Sequence, residues 1–506
     1  MSSRVIKNSI YLLSRTLLMA FIGLYTVREL LNVLGVEAFG IYNLVFGIVG
    51  IFLFVNGALI SATQRYLAYE IGLGLVGDVK KVFLSSIVVH FLVALIVCLI
   101  MFFIKDIFIY KILNIDKYVL EAEYIYICSI FSVFLLIMQV PFTSLITAHE
   151  EMHIFAYVSL MDASLKLISV YVIGFYFFDK MKIYASLITV ITFVIFILYF
   201  LFCLYRFKNI LKINGDDLAF LKHIDFSFFK FAGWSAIGNL AVAGKNQGSN
   251  IVINMFFPVF YSTAFSVSIT VTGFVTTLIF SISNAINPQI YKKYAQRKMD
   301  DFFKLINFGT KYYMLFLTLI IFPNFFAMDY LINLWLNNAP NQTYIFCILS
   351  LVIIILEAFS FLIITGIQAT GNVRKTQIFV GSILLLNVPL SYFFYNLGFS
   401  VYSVFFISIF LTLISFFVRI MIFVKLTNYD VISFLLQVLK PVIIFQLLVL
   451  IVQFVLFRYL GSITNIFEFI SYNLISFLIN IFMVLIFVLD SNELLWLRKK
   501  IKSKFS

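Results

Sequence analysis

The chain has 506 residues, 63% of them hydrophobic and 12% charged, with a formal net charge of +13. A mean hydropathy of +1.07 lies far outside the range of water-soluble domains and argues against a soluble enzyme. The positive charge would suit nucleic acid, but its placement serves membrane orientation and leaves no basic surface for such a partner.

A membrane helix needs about 20 mostly apolar residues. Such segments fall at 8–33, 38–64, 82–104, 124–147, 154–178, 183–205, 229–254, 258–287, 305–335, 343–368, 374–395, 399–425, 441–457 and 466–489. The N-terminus, the C-terminal tail and the even-numbered gaps, counted with the two residues flanking each side, hold 24 of the 36 Lys and Arg residues. The odd-numbered gaps hold six, and six lie inside apolar segments. Basic residues favour cytoplasmic loops. The expected fold is therefore an all-α polytopic membrane protein of about 14 helices with both termini cytoplasmic. At the start, Arg15 interrupts the apolar run of MSSRVIKNSIYLLSRTLL and no small-residue cleavage site follows. That segment is expected to stay as the first helix rather than leave as a signal peptide.

The connections sort by length. LGVEAFG, FDKMK, FPVFYS and NLGFS are tight turns on the outer side, whereas YKKYAQRKMDDFFK at 291–304 is longer and basic. GLGLVG at 72–77 matches a dinucleotide-binding pattern only literally, because that chemistry needs a strand–turn–helix context. Asn341-Gln342-Thr343 matches a glycosylation acceptor at the level of chance. The longest polar interval, 206–230, contains Asn214-Gly215, a turn signal. It divides the chain into an N-lobe at 1–205, a cytoplasmic linker at 206–228, a C-lobe at 229–425, and helices 13 and 14 with a basic tail at 426–506. Two six-helix lobes around a central cavity are the plan of many secondary transporters.

Several chemical readings fall away. Cys98, Cys128, Cys203 and Cys347 all lie in apolar segments, without metal-ligand spacing or a disulfide framework. No metal or cofactor is expected. The acid pairs Glu150-Glu151, Asp216-Asp217 and Asp300-Asp301 sit in cytoplasmic gaps beside basic residues and read as charge-balanced loops. A membrane glycan polymerase would want a bulky outer domain, and the largest outer gap, 105–123, is about twenty residues.

Charges at depth are more informative. A charge at the bilayer centre costs about 2.5–3.5 kcal/mol on insertion scales, so it faces a cavity or a partner. Arg15, Lys166, Lys245, Asp162 and Glu357 lie within apolar segments, with Arg28 toward the outer end of the first. Asp162 and Lys166 are four apart and so share a helix face. Arg28, Lys311 and Arg419 lie near segment ends, where long side chains snorkel to the interface. Ser235, Asn239, Asn246 and Asn250 recur at helical spacing in the seventh segment, and Ser266, Thr270, Thr277, Ser281 and Asn284 in the eighth. These stripes read as the wall of a hydrated lumen, with helix–helix glue as the alternative. If Asp162 neutralises Lys166, the cations outnumber the acids. A cationic, amide-lined lumen suits an anionic head group carrying sugars.

The stretch SRTLLMAFIGLYTVRELLNVLGVEAFGIYNLVFGIVGIF at 14–52 resembles the start of Wzx-type polysaccharide flippases of the multidrug/oligosaccharidyl-lipid/polysaccharide exporter superfamily. Arg28, then Leu34-Gly35 and Phe39-Gly40-Ile41-Tyr42, and the close of the second helix on ATQRYLA with Arg65 carry the resemblance. It implies alternating access by two lobes that carry an undecaprenyl-diphosphate-linked oligosaccharide between leaflets of the bacterial inner membrane. It implies membrane lipids and the polysaccharide polymerase machinery as partners. Arg15, Arg28, Lys166 and Lys245 match cavity cations for the diphosphate, and Asn239, Asn246, Asn250, Thr270 and Thr277 suit the sugars. Asp162 and Glu357 are candidates for ion coupling, since no ATP-binding signature is present. A lipid II-type flippase, a drug/cation antiporter of the same fold, which predicts an acidic lumen, and a membrane glycan polymerase remain as alternatives.

Overall fold

The computed structural model describes residues 3–52, 56, 59–60, 63–64, 66–67, 70–71, 78–115, 117–149, 151–176, 179–211, 227–336, 339–461 and 463–487. Arg65, GLGLVG at 72–77, Glu150, Asn214-Gly215, Asp216-Asp217 and the tail from 488 lie outside the described residues. Among the described residues all regular structure is helical. A bilayer offers no water to backbone N–H and C=O groups, so an apolar chain satisfies them within helices. Eleven of the described helices are long and apolar enough to cross a membrane, and Val36–Gly47 is apolar but shorter.

The helices relevant to the sites are α1 (Ser3–Leu34), α2 (Val36–Phe52), α3 (Val79–Ile107), α4 (Val119–Ala148), α5 (Met152–Gly174), α6 (Lys180–Arg206), α7 (Ser227–Phe256) and α8 (Val259–Ala295). They continue with α9 (Met299–Phe326), α10 (Thr343–Ala369), α11 (Arg374–Asn396), α12 (Ser403–Thr427), α13 (Val431–Leu460) and α14 (Ile466–Phe487). Two compact units emerge. Unit 1 comprises Met1–Thr277, Leu336–Thr343 and Gln377–Leu411; unit 2 comprises Leu278–Trp335, Tyr344–Thr376 and Thr412–Ser506.

In unit 1, α4 packs against α3, α6 and α2, α1 lies along α5, and α7 contacts α2 and α11. Phe142 anchors the core, its ring 5.5–5.8 Å from those of Phe83, Phe196 and Phe200. Edge-on aromatic pairs of this kind add to area burial. Gly35 closes α1 with φ +82°, and its N–H bonds the Leu31 carbonyl at 2.9 Å, a left-handed cap that favours glycine. Gly244 and Gly248, one turn apart, set the approach of α7 to α11. A Cβ at Gly248 would lie 2.6 Å from Val388, and one at Gly244 2.9 Å from Leu385. Small residues at this spacing let membrane helices come into backbone contact. The same interface holds Asn387, which accepts from Ser249 at 2.8 Å and donates to Ser408 at 2.6 Å.

In unit 2, α9 packs against α13, α14 and the second half of α10. Polar side chains join these helices inside the apolar core. Gln446 donates to Thr318 at 3.2 Å, and Gln453 donates to Asn480 at 3.1 Å. Gln453 also accepts from Tyr472 at 3.1 Å and from Ser476 at 2.7 Å.

The segment pattern misses four details. The tenth apolar segment is one run in the sequence, yet α10 breaks into Thr343–Ala358 and Phe361–Ala369. α11 breaks between Leu385 and Asn387. α3 continues into a π-helical turn, Phe108–Ile112, so the outer gap expected at 105–123 is partly helix. A second π turn, Leu435–Leu439, lies near the start of α13. Such turns recur at functional positions.

Candidate functional site

Most of the residues singled out in the sequence belong to unit 1. Lys245 is buried, 8% exposed, on the face of α7 that also buries Ala241, Ser249 and Val252. At 100° per residue this face is about a third of a turn from the one that carries Asn239, Asn246 and Asn250. Along that second face Asn239 is exposed, Asn246 half-buried and Asn250 buried. Asn250 donates to the Ser266 hydroxyl at 3.3 Å and so ties α7 to α8. Its side-chain oxygen is buried without a hydrogen bond among the described residues.

On α8 the hydroxyls turn back to their own helix. Thr270 donates to the Ser266 carbonyl and Thr277 to the Gly273 carbonyl, each at 3.0 Å. This satisfies the donor and leaves oxygen lone pairs as acceptors. The side chains of Arg15, Ser235, Ser281 and Asn284 lie outside the described residues.

Arg28 sits in a polar cluster that the sequence reading missed. Its Nε lies 3.8 Å from the Glu29 carboxylate. Tyr171 donates to Tyr25 at 2.8 Å across the α1–α5 contact, and Arg28 and Glu29 both act electrostatically on Tyr171. Glu29 adds an acid beside Arg28 to the charge balance of α1. On α5, Lys166 donates to Asp162 at 2.8 Å, as the four-residue spacing implied. Both are partly exposed, with side-chain values of 37% and 23%.

Glu357 belongs to unit 2. It ends the first half of α10, and its carbonyl accepts from Ser360 N–H at 2.9 Å at the break. Tyr313 of α9 and Arg419 of α12 are within electrostatic reach of its carboxylate. Arg419 is half-buried, and its Nε is buried without a hydrogen bond among the described residues. Lys311 is buried, 4% exposed, rather than reaching an interface.

No family model matches the sequence, and no curated protein matches it. Solved structures do. An inward-facing multidrug resistance MATE family transporter of the MOP superfamily superposes with TM-score 0.67 at 12% identity, covering 83% of this chain and 99% of that one. The lipid II flippase MurJ in an inward closed conformation superposes with TM-score 0.69 at 14% identity, covering 95% of this chain and 98% of that one. The fold is that of the MATE and MurJ transporters. A MOP superfamily transporter from Pyrococcus furiosus, described as having a binding pocket of reversed polarity that suggests a different function, matches over 83% of this chain with TM-score 0.60 and 13% identity. At these identities the MATE/MurJ-like likeness concerns architecture alone. It agrees with a multi-pass membrane fold, to which the length and composition of the eleven apolar helices point independently.

Proposed function

We propose that the chain is a flippase that carries an undecaprenyl-diphosphate-linked oligosaccharide from the cytoplasmic to the outer leaflet of the bacterial inner membrane, for surface polysaccharide synthesis. Its termini are then cytoplasmic, and the lobes expected at 1–205 and 229–425 alternate access to the substrate. The observation that carries the reading is the buried Lys245 on α7. Arg28 stands beside Glu29, Lys166 bonds Asp162, and Arg419 lies in the field of Glu357. Lys245 is a buried ammonium on the helix that carries the amide stripe, and a substrate phosphate would meet it in charge-assisted hydrogen bonds. Asn239, Asn246 and the free oxygen of Asn250 offer amide contacts to sugar hydroxyls, and Thr270 and Thr277 offer acceptors.

Lipid II as substrate is the second reading. The MurJ superposition supports it by extending over more of this chain than the MATE superpositions do. A drug/cation antiporter fits poorly, because a buried lysine repels a cationic substrate. Thermal stabilisation of the purified protein by an undecaprenyl-diphosphate glycan, by lipid II and by a cationic dye separates the three, since a ligand stabilises the state it binds. Stabilisation by the glycan lipid that Lys245→Ala abolishes is the expected result. Stabilisation by the dye alone would sink the flippase reading.

A further inference from the structure

Two adjoining pockets in unit 2 share Lys304 and Phe308 of α9. One, of about 420 Å³, is the more polar, with Asn307, Lys311, Ser433 and Gln437 in its wall and Asp300 and Asp430 beside them. Asn307 accepts from the Tyr429 hydroxyl and lies 3.4 Å from both Ser433 Oγ and Gln437 Oε1. Gln437 is delivered by the π turn at the start of α13. The other pocket, of about 810 Å³, is mainly apolar. Its wall is an aromatic run spaced by one helical turn, Phe308, Tyr312 and Phe316, each 39–44% exposed. The Lys293–Asp301 pair, at 2.6 Å, lies at the polar end of this run.

A polar chamber joined to an apolar one has the outline of an amphiphile. Its charge narrows the choice further. Lys293, Lys304 and Lys311 face Asp300, Asp301 and Asp430, a balance of three and three. A purely anionic head group would meet three carboxylates, and a purely cationic one three ammoniums. A head group with both a phosphate and an ammonium meets a partner at each charge. The carboxylates also favour an ammonium that can donate hydrogen bonds, since ionised acceptors make the stronger ones.

We propose that these pockets hold one phospholipid with a zwitterionic, hydrogen-bond-donating head group, a phosphatidylethanolamine. Its phosphate lies toward Lys304 and Lys311, its ammonium toward Asp300 and Asp430, and its chains run along Phe308, Tyr312 and Phe316. α9 begins directly after the basic segment 291–298, so the site belongs at the leaflet that basic loops face. It belongs to unit 2, whereas Lys245 belongs to unit 1, and it does not depend on the flippase reading.

The test is native mass spectrometry of the purified protein with equal amounts of phosphatidylethanolamine, phosphatidylcholine, phosphatidylglycerol and undecaprenyl phosphate. Phosphatidylethanolamine is expected to be retained preferentially. Lys304→Gln and Asp300→Asn should each weaken that retention roughly tenfold, the size of one charge-assisted hydrogen bond. Equal or better retention of phosphatidylglycerol would overturn the zwitterion assignment. Preference for undecaprenyl phosphate would overturn the phospholipid and give the pockets to a polyprenyl lipid. Should Lys304→Gln melt early without lipid, Phe316→Ser tests the apolar end. Unchanged retention in Asp300→Asn and Phe316→Ser together also refutes the site.

Discussion

At the scale of residues, Lys245 and the Asp162–Lys166 pair make opposite demands. A half-exposed pair four apart on a helix is worth about 0.3–0.5 kcal/mol in water, so Asp162→Asn should leave the melting temperature nearly unchanged. Any loss of transport in that variant then reads as loss of coupling. A buried ammonium is costly, so Lys245→Met should hold or raise stability while lowering glycan-lipid transport at least about tenfold. Equal loss of stability and transport would mark Lys245 as a structural ion. Glu357 and Arg419 can be tested as a unit. Removing either alone leaves a charge without its counterpart in the interior. A double-mutant cycle of Glu357→Gln and Arg419→Gln, read by thermal unfolding, should give a coupling of about 0.5–3 kcal/mol. A coupling near zero would leave Glu357 free for ion exchange on its own.

At the scale of elements, the apolar runs were legible because each needs only length and composition to declare a helix. The Asp162–Lys166 contact was legible from spacing alone. The breaks were missed. α10 turns at Phe359-Ser360, where no Gly or Pro signals an interruption, whereas α11 turns at Leu386, just ahead of Pro389, whose ring clashes with the Leu385 carbonyl four residues back. Pro389 was therefore a legible cue that the segment reading did not use, while the Asn387 hydrogen bonds to Ser249 and Ser408 beside it join three helices and exist only after folding. Glu357–Arg419 and Gln453–Asn480 escaped for the same reason, since they join helices whose pairing no local pattern encodes. The glycine spacing on α7 was present in the sequence but was passed over beside its asparagines. Overpacking a close helix contact costs about 1–3 kcal/mol. Gly248→Leu should lower the melting temperature accordingly, whereas Gly273→Leu, where a Cβ meets nothing within 4 Å, should not.

At the scale of the whole molecule, the charge pattern makes a topological statement that chemistry can check. Three lysines near the odd-numbered gaps are matched by acids. Lys105 lies 3.0 Å from Glu123, Lys182 3.7 Å from Glu121, and Lys117 3.9 Å from Glu37. The four basic residues at 291–298 outnumber the two acids that follow them, Asp300 and Asp301. With the native cysteines replaced, Lys117→Cys should react with a membrane-impermeant maleimide on intact cells, and Arg297→Cys only after permeabilisation. The reverse pattern would invert the orientation and with it the direction of transport proposed above.

The hydrogen bonds of Gln453 also bear on how the protein is made. Three of its contacts come from α14, the last described helix to leave the ribosome. Until α14 follows, the Gln453 amide faces hydrocarbon with its principal acceptor and donors missing, a cost of several kcal/mol for an unsatisfied polar group in lipid. α13 and α14 are therefore best released from the insertion machinery as a hairpin. A chain ended after Leu460 should be held at the translocon and degraded, while the same truncation carrying Gln453→Leu should accumulate in the membrane.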